Sequence, residues 1–207
     1  PIHVNTEATE LIEDESGKIV GVKAMYNGEA ITYNAKNGVI IASGGFGYSK
    51  EMREKYNPKM NEGYLSTNTV GSTGDGIIMA EKAGAKLEDM AFIQAYPTCD
   101  TLSGALLYVG DVRMEGRSIL VNKEGKRFVE ELDRRDVISN AVIAQTSGVS
   151  YMFWDESAMV DSQVAVKHAA EYNGLLARGQ IVKADTIEEA AEFLEIDKDE
   201  LKKTIEN

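Results

Sequence analysis

A chain of 207 residues, 43% hydrophobic and 27% charged, can fill one good core or two small ones and is not a disordered composition. Its formal net charge of -12 argues against nucleic acid or an anionic membrane surface as partner, though a local arginine cluster can still hold an anionic substrate. A single cysteine, Cys99, excludes an intrachain disulfide; two distant histidines, His3 and His168, argue against a metal site; and no apolar run is long enough for a membrane segment.

Residues 1–45 predict β structure. Strands are expected around Val4 and over residues 8–12, then a turn at Asp14-Glu15-Ser16-Gly17 and a strand over Ile19–Tyr26. Asn27-Gly28 is a two-residue hairpin signal leading into a strand over residues 30–33. The apolar run over residues 39–42 predicts a strand buried on both faces. It ends in Ser43-Gly44-Gly45-Phe46-Gly47, where bare backbone can approach a ligand. A short helix is expected over Lys50–Tyr56, stopped by Asn57-Pro58. Gly71-Ser72-Thr73-Gly74-Asp75-Gly76 then feeds a helix over residues 77–83 closed by Gly84. Such a glycine-rich turn at a helix start suits an anion, although by itself the signal is weak.

The texture changes near residue 90, where a domain boundary is placed. A strand over residues 119–121, a turn at Asn122-Lys123-Glu124-Gly125-Lys126 and a helix over residues 137–145 with Val137, Ala141 and Ala144 on one face are expected. A buried strand follows over Tyr151–Trp154, and residues 182–184 read as a strand edge. Two helices begin at the capping boxes Thr186-x-x-Glu189 and Asp197-x-x-Glu200.

The densest polar cluster runs from Tyr96 to Asp136. It holds Asp111, Arg113, Arg117, Arg127, Arg134 and Arg135, with Glu130, Glu131 and Asp133 among them. Arginine forks grip carboxylates with both oxygens at once. The same charges also fit a salt-bridged surface around a turn, which is the commoner meaning of such a pattern. Cys99 has no histidine nearby in sequence to activate it, and His168 lies in a helical stretch as a surface or satisfied core residue.

Five strings occur in order: Ala42-Ser43-Gly44-Gly45-Phe46-Gly47; Gly71-Ser72-Thr73-Gly74-Asp75-Gly76-Ile77 with Ala80-Glu81 and Gly84-Ala85; Gln94-Ala95-Tyr96-Pro97-Thr98; Ile119-Leu120-Val121-Asn122-Lys123-Glu124-Gly125-Lys126-Arg127-Phe128; and Arg135-Asp136. Together they resemble the flavoprotein family of soluble fumarate reductases, flavocytochromes c and urocanate reductase. The resemblance runs the length of the chain. It implies an α/β (α+β) fold, with residues 1–90 as part of a Rossmann-like FAD-binding domain and residues 91–207 as an α+β substrate-capping domain. The family's dinucleotide fingerprint and its closing segment lie outside the pattern seen here, so the chain is expected to be a fragment that by itself neither holds flavin tightly nor turns over.

The resemblance further implies non-covalent FAD, with Ala42, Ser43, Gly44, Gly45, Thr73, Gly74 and Asp75 as contacts and other segments completing the site. Its chemistry is hydride transfer to one alkene carbon of an unsaturated carboxylate and proton delivery to the other. Arg135 matches the family's proton donor, with Arg134 as the alternative. Asp111 and Arg113 match the relay, with Arg117 as an alternative because the run 113–117 is one residue long for the pattern. Tyr96, Asp111 and Arg134 match substrate contacts. Tyr96 and Asp111 stand where fumarate reducers carry histidine and glutamate, which favours a urocanate-like substrate over fumarate. The partners implied are a small unsaturated carboxylate and an electron-donor domain or protein. A non-catalytic binding domain derived from the same family is the alternative from another class, and compartment is not encoded.

Overall fold

The structure is a computed structural model that describes residues 1–61 and 63–207. Helices and strands are mixed throughout, as the sequence predicts, and the chain divides into two compact units, Pro1–Ile93 and Gln94–Asn207.

The first unit opens with an antiparallel meander of β1 (Thr6–Glu13), β2 (Ile19–Tyr26) and β3 (Glu29–Asn34). Its turns are locally encoded. Asp14 Oδ1 accepts from the N–H groups of Ser16 at 2.9 Å and Lys18 at 3.1 Å, closing the first turn. Asn27 and Gly28 both have positive φ, 49° and 87°, the geometry that a two-residue hairpin demands. Helix α1 (Lys50–Tyr56) starts at Ser49, whose hydroxyl accepts from Met52 N–H, and stops at Asn57 because Pro58 disfavours helix in the residue before it. Helix α2 (Asp75–Lys82) follows the left-handed Gly74 and ends before Gly84 at φ 82°. The buried strand expected over residues 39–42 does not form. Among the described residues nothing pairs with this run, and Ile40 is 92% exposed. A strand covered on both faces needs hydrogen-bonded neighbours and two flanking layers, and the meander supplies neither.

The second unit is built on the antiparallel pair β4 (Ser118–Val121) and β5 (Tyr151–Trp154), joined by a long connection. Strand alternation sends its two faces to different cores. Ile119, Val121, Tyr151 and Phe153 pack with Ala191, Ile196 and Leu201 of α7 (Ile187–Leu194) and α8 (Lys198–Glu206). Trp154 joins Val109, Val164, Tyr172, Leu175 and Ile181, the core of α5 (Val164–Lys167) and α6 (Ala169–Ala177). β5 is therefore only half-buried residue by residue, since each side chain is covered by one layer.

Thr186 and Asp197 cap α7 and α8 as their sequence boxes predict, accepting from Glu189 N–H and Glu200 N–H. The expected strand edge at residues 182–184 is irregular chain instead. Helix α3 (Arg135–Ile143) buries Ile138 and Ser139 and leaves Ala144 exposed, so its inner face is rotated from the expected Val137–Ala141–Ala144 stripe. Helix α4 (Glu156–Ser162), α5, α6 and a 3-10 helix over Val109–Glu115 complete the unit.

Candidate active site

In the first unit the two glycine-rich runs meet. Ser72 O accepts from Tyr48 N–H at 3.0 Å, and Gly76 lies so close to Ile41 and Ser43 that a side chain there would overlap both. Gly74 is equally enclosed, by Met52 and Phe46. These two glycines lock residues 41–47 onto the start of α2. Gly45 and Gly71 are the opposite kind: a Cβ added at either would meet nothing within 4 Å. Their backbone is bare towards open space, as close approach of a flat or extended ligand requires.

Thr73 Oγ1 donates to Asp75 Oδ2 at 2.8 Å, so a carboxylate already occupies the first turn of α2. That charge uses the favourable field of the helix start and repels a phosphate, while offering acceptors to hydroxyl groups. The run 42–45 with 73–75 therefore presents bare backbone and hydroxyl-directed acceptors rather than a phosphate seat.

In the second unit the arginine-rich cluster resolves into separate roles. Arg135, the first residue of α3, places its guanidinium carbon 5.0 Å from the centre of the Tyr96 ring, in cation–π contact. The Tyr96 hydroxyl in turn donates to Asp111 Oδ1 at 3.5 Å, the long end of hydrogen bonding. Three of the residues singled out from sequence thus adjoin one another. Arg134 turns elsewhere: its fork holds Asp136 at 3.1 and 3.0 Å and is largely exposed. Hydrogen bonding to Asp136 raises the Arg134 pKa further and lowers that of Asp136.

Arg113 is buried at 4% exposure and donates Nη1–H to the Glu131 carbonyl at 2.9 Å, while its Nε–H has no partner among the described residues. Arg117 pairs with Asp161 and donates to Ser157 Oγ of α4 at 3.2 Å. The hub behind the cluster is Glu131, which sequence reasoning treated as one charge among several. It accepts from Arg127 Nε at 3.0 Å and Nη2 at 2.6 Å, and from Leu120 N–H at 2.8 Å. Burial alone would raise its pKa, but the Arg127 fork and the Leu120 N–H more than offset this and hold it below the ordinary value. Glu131 thereby ties the segment leading to Arg134 and Arg135 onto β4. Arg127 and Glu131 lie outside any helix, where a spacing of four residues implies no contact, so nothing local signalled either that pair or the Leu120 contact.

Loop 98–107 is held by Asp100, buried at 6% exposure. Leu102 N–H at 2.8 Å, Gln180 Nε2 at 2.6 Å and Ser103 Oγ at 2.9 Å all donate to it, and these bonds lower its pKa to about 2. Cys99 beside it is half-buried, and burial, then the Asp100 charge, pushes its thiol up, the reverse of an activated nucleophile. Among the described residues no group of three or more histidine, cysteine or acidic side chains is placed to hold a metal ion, and no helix is long and apolar enough to cross a membrane.

Comparison with known proteins bears on both halves. The family model described as FAD binding domain matches residues 1–207. Urocanate reductase of Eggerthella lenta is 55% identical over 203 residues, covering 98% of this chain and 34% of that protein. A fumarate reductase (cytochrome) of Shewanella frigidimarina is 37% identical over 191 residues, covering 89% of this chain and 33% of that protein. The open conformation of a flavocytochrome c3 fumarate reductase superposes with a TM-score of 0.76 at 30% identity, covering 97% of this chain and 34% of that one. The chain thus spans about a third of the length of these relatives. With a family model matched along its whole length, the chain belongs to the FAD-binding domain family of flavoproteins.

Proposed function

We propose that this chain forms part of a FAD-dependent reductase that saturates the C=C bond of an unsaturated carboxylate, with a urocanate-like, imidazole-bearing substrate preferred. The observation that carries the proposal is the contact series Arg135–Tyr96–Asp111 in a chain 55% identical to a urocanate reductase. On this reading unit Pro1–Ile93 holds flavin and unit Gln94–Asn207 caps the substrate.

Ala42, Ser43, Gly44 and Gly45 would meet FAD through bare backbone, with Thr73, Gly74 and Asp75 beside them offering acceptors to its hydroxyls. When bound there, FAD in its reduced form would supply hydride chemistry at one alkene carbon. Arg135 delivers the proton to the other. Free guanidinium is a poor acid, so this role needs a site that crowds the cation and returns its proton at once. Tyr96 shields one face of the Arg135 guanidinium, and Asp111 with Arg113, whose Nε–H is unpartnered among the described residues, forms the return path.

Arg134 takes the substrate carboxylate by exchanging its exposed partner Asp136, a pair that water already screens. Asp111 accepts an imidazole N–H and repels a second carboxylate, and the Tyr96 face suits a flat ring. The alternative is a fumarate reductase, the activity named for the Shewanella relative.

The test uses the full-length protein containing this chain, loaded with FAD and assayed with reduced viologen as donor. Urocanate is expected to give the higher kcat/KM, and Tyr96→His with Asp111→Glu is expected to move preference towards fumarate. A wild type that prefers fumarate establishes the alternative. Flavin loading with no enoate turnover points to a binding domain instead.

A further inference from the structure

We infer that Glu171 is a positioning residue: it caps the 3-10 helix that presents Asp111 and so sets the affinity for an imidazole-bearing substrate. The inference rests on the functional reading above and deepens it.

The first N–H groups of any helix lack an intrahelical acceptor, and a single 3-10 stretch is short enough to fray. In the helix Val109–Glu115 the residue at the cap, Tyr108, makes no side-chain cap bond. The acceptor comes from 62 residues further along the chain, where Glu171 Oε1 takes the Val109 N–H at 2.6 Å. A carboxylate there also opposes the positive end of the helix. Among the described residues no lysine or arginine pairs with Glu171, and Val109 N–H is its hydrogen-bond partner. Asp111 sits in the first turn of the same helix, so an anchor on Val109 fixes where its carboxylate stands.

Further contacts run from the same region to the same segment. His168, at the N-cap of α6, stacks on the Tyr108 ring at 4.8 Å and 4°. Val109 is buried against Val164, Tyr172 and Leu175. Gly110 abuts Thr98 so closely that a Cβ there would overlap it. Gln180, just beyond α6, holds Asp100 at 2.6 Å. Residues 164–180, spanning α5, α6 and the chain just beyond, thus contact both segments that carry Tyr96 and Asp111. Apolar packing fixes the depth of Val109, and the directional bond from Glu171 adds a constraint on the rotation of the turn that packing does not supply.

The experiment is steady-state kinetics of the full-length, FAD-loaded protein with urocanate and with fumarate, alongside flavin content and thermal unfolding. Glu171→Ala is expected to raise the urocanate KM about tenfold, the scale of a lost charge-assisted hydrogen bond, with flavin content held within about twofold; kcat is expected to fall as well, because Asp111 also lies on the proton return path. Glu171→Gln keeps an acceptor and is expected to recover most of the loss. In an Asp111→Ala background, Glu171→Ala is expected to change KM by less than about twofold, because its effect passes through Asp111.

A Glu171→Ala enzyme with the wild-type urocanate KM overturns the inference. So does a full tenfold effect that persists without Asp111, or a parallel fall of flavin content, melting temperature and activity that Gln does not rescue. If the alanine variant does not fold, Glu171→Asp, whose reach is one methylene short, replaces it; a KM equal to that of Glu171→Gln then overturns the inference. A wild type inactive on both enoates sinks the functional reading and this inference together, whereas an active wild type with insensitive variants sinks this inference alone.

Discussion

The two units differ in how much core they own. Among the described residues of Pro1–Ile93 the buried hydrophobics are Ala24, Met52 and Met79, and Ile2, Ile40, Val70 and Phe92 stand largely exposed. In Gln94–Asn207 two clusters close around β4 and β5, with Val112, Leu120, Val121, Ile138, Ala158, Ala191 and Leu201 at 2% exposure or less. The polar chemistry divides in the same way. The first unit presents bare backbone at Gly45 and Gly71, while the second presents side chains whose directions are set by buried anchors such as Glu131. A site made of backbone needs little core, because turns and close glycine contacts hold it. A site made of side chains needs a core behind it to fix rotamers. The function proposed above divides the labour along the same line, flavin contact in one unit and proton and substrate handling in the other.

The most severe test of this division is Arg135→Ala in the full-length enzyme. Turnover is expected to fall by about 10²–10⁴-fold while flavin content stays at the wild-type level. Arg134→Ala is expected to act mainly on KM, since its guanidinium lies outside the Tyr96 contact. Retained turnover in the Arg135 variant removes the proton-donor assignment.

A smaller effect separates the two kinds of glycine. Gly76→Ala drives a methyl into Ile41 and Ser43 and is expected to cost about 1–3 kcal/mol in thermal unfolding. Gly45→Ala meets no protein atom within 4 Å, so the fold is expected to keep its melting temperature while flavin content drops. Equal flavin content in wild type and Gly45→Ala shows that residues 42–45 do not touch the cofactor.

The smallest effect is acid sensitivity of the second unit. The Asp100 carboxyl is depressed from its ordinary 3.8 to about 2 by Leu102 N–H, Gln180 and Ser103. Its contribution to stability is therefore complete above pH 3.8 and is lost as pH falls through about 2. Melting temperatures followed from pH 5 down to pH 2 should fall less steeply in Asp100→Asn, whose amide does not titrate. An unchanged slope shows that the loop 98–107 is not held by this charge.

Much of the backbone was legible from short strings. Asn27-Gly28, Ser49, Thr186 and Asp197 each satisfy or aim backbone groups within four residues of themselves, so the elements they bound lie where the sequence places them. The faces of elements were less legible. The apolar run 39–42 predicts burial that no neighbour among the described residues provides, and α3 buries Ile138 and Ser139 while Val137 is only half-buried and Ala144 exposed. Within the cluster of arginines, charge pattern alone left Arg134 and Arg135 equivalent. Their separation came from Asp136, which captures Arg134 locally and leaves Arg135 to the Tyr96 ring.

By itself, then, the amino-acid sequence determined the caps, the hairpins, the two glycine runs and the family to which they belong, since all of these depend on residues close together in the chain or on strings that persist in order. Only the tertiary structure decided which arginine meets Tyr96, that Glu131 anchors β4, and that Glu171 reaches Val109. The physical reason is range. A backbone hydrogen bond within a turn is specified by its immediate neighbours, whereas a carboxylate that caps a helix 62 residues away is specified by the packing of every element between them.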